Sequence, residues 1–126
     1  MSDRDDLLQL TQQLLDCIAA GDWHTYTRLC DASLTAFEPE ARGHLVEGLP
    51  FHQYYFDLER SRTATPKNTT ISSPHVRVLG DTAVVSYVRL IQHLDDQDSP
   101  QTAAFEETRV WSRQGDSWVH VHFHRS

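Results

Sequence analysis

The chain has 126 residues, 39% of them hydrophobic and 23% charged, which fits one soluble domain around one core. Its formal net charge of −7 argues against a nucleic-acid or anionic-membrane surface, and no stretch is long and apolar enough to span a bilayer. The acidic start, Met1-Ser2-Asp3-Arg4-Asp5-Asp6, lacks the basic and apolar regions of a secretory signal, so an intracellular, cytoplasmic protein is expected.

The first predicted element is a helix over roughly Asp3 to Ala20, where Leu7, Leu10, Leu14 and Ile18 recur at helical spacing and Leu8, Leu15 and Cys17 widen the stripe. Ser2 and the following aspartates suit the positive end of its dipole, and Gly21 is a natural stop. Asp22 caps a second helix running to about Leu29, with Trp23, Tyr26 and Leu29 on one side. Ser33 to Phe37 reads as a short strand and Glu38-Pro39-Glu40 as a turn. A third helix is predicted from Leu49 to about Glu59, followed by a polar connection from Ser61 to Asn68. The period then switches to two, giving strands at about Thr69–Leu79, Ala83–Leu94, Ala103–Arg113 and Ser117–Arg125. Gly80-Asp81 marks a tight hairpin, Asp95 to Pro100 a longer loop, and Gln114-Gly115-Asp116 another turn. Helices followed by an antiparallel meander define an α+β domain spanning residues 1–126. The two cysteines, Cys17 and Cys30, make no disulfide framework and are expected to be reduced, partly buried thiols.

Three arginines lie in phase with apolar residues on successive strands. Arg89 shares parity with Val85, Tyr87 and Ile91, Arg109 with Phe105 and Trp111, and Arg125 with Val119, Val121 and Phe123. If the apolar sets face the core, the guanidiniums do too. Unpaired buried charge costs several kcal/mol per ion, so the set predicts either an anion pocket or an internal network with an acid such as Glu107. Tyr87 shares a face with Arg89, and Glu107 with Arg109. The planar fork of arginine suits a carboxylate guest. A bulge in a bent sheet would break this parity. His52, among the aromatics of the third helix, is placed either at the mouth of such a cavity or in the core.

The strand Ala83–Leu94 is apolar on both faces, with Val84, Val88 and Leu90 opposite Val85, Tyr87 and Ile91. On the third helix Phe51, Tyr54, Tyr55 and Leu58 form one stripe, while Phe56 projects elsewhere beside His52 and Glu59. Three short helices cover one sheet face, so the surplus predicts self-assembly. His120, His122 and His124 alternate with Trp118 on their face, which predicts an interface stripe rather than a zinc site, since the outer pair would lie about 13 Å apart along the strand. No metal or cofactor is expected. Phosphate-loop, dinucleotide and nucleophile-elbow motifs are absent, and so is a kinase catalytic set.

Several segments together resemble the association (hub) domain of calcium/calmodulin-dependent protein kinase II. They are Gly21-Asp22 with Tyr26-Thr27, Thr35-Ala36-Phe37-Glu38-Pro39-Glu40-Ala41, Leu45-Val46-Glu47-Gly48-Leu49 followed by Phe51-His52 and Tyr55-Phe56, then Gly80-Asp81, Glu106-Glu107-Thr108-Arg109-Val110-Trp111 and Val121-His122-Phe123-His124-Arg125-Ser126. The resemblance implies a cone-shaped, nuclear-transport-factor-like fold, with a long N-terminal helix and short helices on a strongly curved antiparallel sheet. It implies a non-catalytic hub that forms a double-ring homo-oligomer, commonly of twelve or fourteen subunits, and gathers kinase subunits whose full-length form binds calmodulin. It also implies a cavity lined by Arg89, Arg109, Arg125 and His52 that binds a small carboxylate or part of the kinase regulatory segment.

The chain departs from that pattern in three places. It begins at a methionine just before the first helix, so it is expected to be an excised hub or a free-standing homologue that joins or caps kinase assemblies. Arg60 stands where animal hubs often have tryptophan, and His120 where an aliphatic residue is usual. The alternative is a small cone-fold enzyme, isomerase- or dehydratase-like, with Tyr87, His52 and Glu107 as acid/base candidates.

Overall fold

Ser2 opens the first helix by accepting a hydrogen bond from the Asp5 backbone N–H at 3.2 Å, and Asp3, Asp5 and Asp6 fill its first turn. In the computed structural model, which describes residues 2–60 and 67–126 except for the side chains of Glu59 and Arg60, helix α1 runs Asp3–Ala20. Gly21 ends it in the left-handed conformation at φ 69°, which a side-chain-bearing residue adopts only with strain. Asp22 then caps α2 (Trp23–Leu29) by accepting from the Thr25 N–H at 3.1 Å. Strand β1 (Cys30–Phe37) follows with no loop, beginning earlier than its alternation suggests. A single 3₁₀ turn covers Pro39–Ala41, and the two-residue strand β2 (Val46–Glu47), too short for any periodic signal, pairs back onto β1. Helix α3 spans Pro50–Arg60. The long strands are β3 (Lys67–Leu79), β4 (Thr82–Leu94), β5 (Pro100–Gln114) and β6 (Ser117–Arg125). The expectations about Arg60, the Glu59 side chain and most of the polar connection fall outside the described residues.

The six strands form one sheet in the order β2-β1-β6-β5-β4-β3. The four long strands form the expected antiparallel meander, and the short β1 joins its β6 edge in parallel with β2 antiparallel beyond it. One sheet face carries the helices. Leu7, Leu14 and Leu15 of α1 are fully buried in one cluster with Val85, Ala83 and Trp111 of the sheet. Val84, Val88 and Leu90 point the opposite way and stay half-buried. No helix among the described residues is long and apolar enough to cross a membrane.

Two bulges bend the sheet. In β3 the register slips between Ser72 and His75, where Ser73 sits at φ 52°. In β6 the ladder passes from Val110↔His122 to Trp111↔His120, leaving Val121 as an extra residue. That residue changes the phase of the strand. Trp118 and His120 are buried with Phe123, whereas Val119, Val121 and His122 are half-buried and His124 is exposed. The expected stripe of Trp118, His120, His122 and His124 on one face is therefore corrected, as is the joint inward orientation of Val119 and Val121 with Phe123 and Arg125. The three histidines do not share a face, and among the described residues no cluster of His, Cys, Asp or Glu is placed to hold a metal ion.

Candidate functional site

The open end of the sheet, the end of α1, and helices α2 and α3 enclose a cavity of about 350 Å³. Arg89, Arg109, Arg125, Glu107 and His52 all line it, together with Tyr26, Phe56, Phe123 and Thr69. Tyr87 does not line it, but its hydroxyl reaches two of those residues from behind. On α3, His52 and Phe56 are one turn apart and both turn inward, while Tyr54 and Leu58 remain on the exposed side and the half-exposed Tyr55 also lines the cavity.

The deep wall is an ion network. Glu107 Oε1 accepts from Arg109 Nη2 at 3.1 Å and from the Tyr87 hydroxyl at 2.5 Å, and Oε2 accepts from Arg89 Nη1 at 3.2 Å. Arg109 Nε donates to the Tyr87 oxygen at 2.8 Å, and the Arg109 guanidinium lies 4.4 Å over the Phe123 ring. Arg89, Arg109 and Glu107 are 5%, 1% and 2% exposed, so water screens none of them. Adjacent strands create this arrangement directly, because Tyr87 faces Glu107 across the β4–β5 ladder and Arg89 and Arg109 are each two residues from that pair.

Burial alone would raise the Glu107 pKa, but Arg109 and then Arg89 overcome it and hold the carboxyl at about 2. The two arginines respond in opposite directions. Burial lowers Arg89, and its contact with Glu107 does not offset this, whereas for Arg109 the Tyr87 and Glu107 contacts outweigh burial and raise it. Burial pushes the Tyr87 hydroxyl up to about 12, so it stays protonated and donates.

The mouth carries different pairs. Arg125 pairs with Glu40, and His52 Nε2 donates to Glu38 Oε1 at 3.0 Å. With Lys67, four cationic side chains face three carboxylates around a cavity in a chain of net charge −7. Four lining side chains keep buried polar atoms with no hydrogen-bond partner, namely Arg89 Nε, Arg125 Nε, His52 Nδ1 and Thr69 Oγ1. The structure thus brings together all three arginines, Glu107 and His52. Glu38, Glu40, Lys67 and Thr69 also line the cavity, beyond the residues that the sequence singles out. The two glutamates flanking Pro39 were the one local signal available, since acids in a tight turn suit nearby cations.

The fold and this site define a cone-shaped α+β domain whose cavity presents cations inside an acidic body. An NTF2-like protein of Cytophaga hutchinsonii has the same fold at TM-score 0.80 and 21% identity, covering 100% of this chain and 98% of that one. The family model described as the calcium/calmodulin-dependent protein kinase II (CaMKII) association domain matches residues 3–126, and the chain belongs to that family. The match is to an association domain, with no kinase domain in it. The chain is 47% identical over 124 residues to the delta subunit of the type II kinase of Oryctolagus cuniculus, covering 98% of this chain and 23% of that subunit. It thus spans about a quarter of the length of that relative. The CaMKII hub homology domain of Chlamydomonas reinhardtii matches at TM-score 0.91 and 49% identity, over 99% of this chain and 98% of that structure.

Proposed function

We propose that the chain is a non-catalytic oligomerisation hub whose cavity receives a carboxylate, either a small molecule or an acidic side chain of a kinase regulatory segment. The observation that carries the cavity half is the set of unpartnered atoms. Arg89 Nε and Arg125 Nε are buried N–H donors on cationic side chains with no acceptor, and both line one hollow. A carboxylate supplies acceptors to both, and hydrogen bonds to charged groups contribute about 1.5–3 kcal/mol each. Glu107 fills the deep part of the charge set but leaves those two atoms unmatched.

The assembly half rests on the opposite sheet face. Val84, Val88, Leu90 and Val110 are half-buried in the protomer, and Phe37, which packs beside His122 and His124 of β6, is 41% exposed. An apolar sheet face of this kind is buried by a second copy in a homo-oligomer. A double ring of twelve or more copies, gathering kinase subunits, is the assembly we assign to it. Native mass spectrometry and calorimetry with acetate test both halves. A ring mass is expected for the wild type and smaller species for Val88→Glu. Arg89→Met should keep the ring and bind acetate at least ten-fold more weakly. A wild-type monomer at micromolar concentration overturns the hub assignment, and equal acetate affinity in Arg89→Met overturns the cavity assignment.

A further inference from the structure

Behind Arg109, on the side away from Glu107, lies a buried histidine. His120 is fully buried, and its Nε2 lies 3.4 Å from Arg109 Nη1. Arginine carries five N–H donors and no acceptor, so Nε2 must be the accepting nitrogen. The proton of the neutral ring therefore sits on Nδ1, which lies 3.3 Å from Cys30 Sγ, and the sulfur is the acceptor. Phe123 stacks on the imidazole at 5.8 Å and 20°, and Trp111 packs against it at 5.2 Å. Three of the five Arg109 N–H groups then have acceptors in Tyr87, Glu107 and His120, and the aromatic face of Phe123 covers the guanidinium. At most two N–H groups remain for a guest in the cavity.

We infer that His120, fixed by Cys30 as the Nδ1–H tautomer, is a positioning residue of the cavity. It holds Arg109 Nη1 back so that the guanidinium keeps one orientation toward Glu107 and the hollow. An aliphatic residue at position 120 would fill the space but would leave the Nη1 donor facing hydrocarbon. The guanidinium would then rotate toward whichever acceptor it can find, and the donors it presents to a guest would change. The Nη1 contact is long for a hydrogen bond, so its effect is expected to be directional rather than large.

The test compares His120→Leu, which removes the acceptor, with His120→Gln, whose side-chain oxygen can stand where Nε2 stands. Phenylglyoxal labels accessible guanidiniums, and peptide mass spectrometry reports Arg109 and Arg89 separately in the assembled protein. In His120→Leu the ratio of Arg109 to Arg89 labelling should rise about five-fold or more, and in His120→Gln it should return to the wild-type ratio. General loosening of the core would raise both arginines together, so an unchanged ratio in His120→Leu, or no rescue by glutamine, overturns the inference. If His120→Leu does not fold, Cys30→Ala against Cys30→Ser asks the same question at the other end of the ring, with the same pattern expected and the same outcomes overturning it. Acetate calorimetry adds the ligand arm, because the inference rests on the cavity reading there. A wild type that binds acetate should lose about three- to ten-fold in His120→Leu and keep its affinity in His120→Gln, and equal affinities in all three count against the positioning role. A wild type that does not bind acetate removes the proposed ligand, and the labelling ratio alone then decides the role of His120.

Discussion

Replacing Glu107 with glutamine is the sharpest perturbation of this fold. The substitution is nearly isosteric, yet it leaves the Arg89 and Arg109 guanidiniums without their shared counter-ion in a wall where neither is more than 5% exposed. Removing one partner of a buried ion pair typically costs about 3–5 kcal/mol, because the remaining charge stays desolvated. For a domain of this size about 4 °C of melting temperature accompanies each kcal/mol, so a drop of roughly 12–20 °C is expected. The measurement is thermal and urea unfolding of wild type and Glu107→Gln at one protomer concentration, since assembly adds stability by mass action. A second arm adds acetate. The variant wall carries two uncompensated cations, so a carboxylate should stabilise it more than the wild type. At a hundred times its dissociation constant a ligand returns about 2.7 kcal/mol. A variant that melts with the wild type, and gains nothing extra from acetate, would refute the claim that this carboxylate neutralises the deep wall.

Two further outcomes follow from the same geometry. The Glu107 carboxyl titrates at about 2 in the folded state against an ordinary 4.5, so it contributes about 3 kcal/mol that is fully present above pH 4.5 and disappears as the pH falls through 2. His120 acts in the same direction, because burial and then Arg109 push its pKa down and its protonation favours unfolding. The difference between wild-type and Glu107→Gln unfolding should therefore shrink between pH 4.5 and 2, and a constant difference across that range would contradict the assignment. Burial raises both thiols, Cys17 and Cys30, to about 12, so a disulfide reagent at pH 8 should react only as fast as the domain opens. Complete reaction of the native protein within minutes would show at least one thiol to be accessible.

The sequence made much of the architecture legible because local chemistry decides it. Ser2, Gly21 and Asp22 set the ends of α1 and α2 through bonds spanning three or four residues. On β4 and β5 the ladder runs unbroken from Thr82↔Ser112 to Leu94↔Pro100, so parity places Arg89, Arg109, Tyr87 and Glu107 correctly relative to one another. Parity fails on β6, where an extra residue shifts the phase and nothing about the letters around Val121 announces it. Phe123 and Arg125 keep the face that alternation assigns, while Trp118 and His120 exchange faces with Val119. The pairs His52–Glu38 and Arg125–Glu40 were illegible for a different reason. They join a helix and a strand to one turn that only the closed fold brings near, so no spacing in the chain encodes them. The contact of His120 with Arg109 was illegible for the first reason, because unbroken alternation puts the histidine on the opposite face from Phe123 and Arg125.

The phase shift at Val121 also makes one short strand serve two faces that ask for different chemistry. Upstream of it the even-numbered residues are core, and downstream the odd-numbered residues are. Straightening the bulge with Val121 kept in the ladder would turn the second half of the strand inside out, bringing the imidazoles of positions 122 and 124 into the cone and carrying the aromatic ring and guanidinium of 123 and 125 to the outer wall. The lining of the hollow and the surface proposed to meet neighbouring copies are thus tied to a single unpaired position, and neither can change its register without rewriting the other.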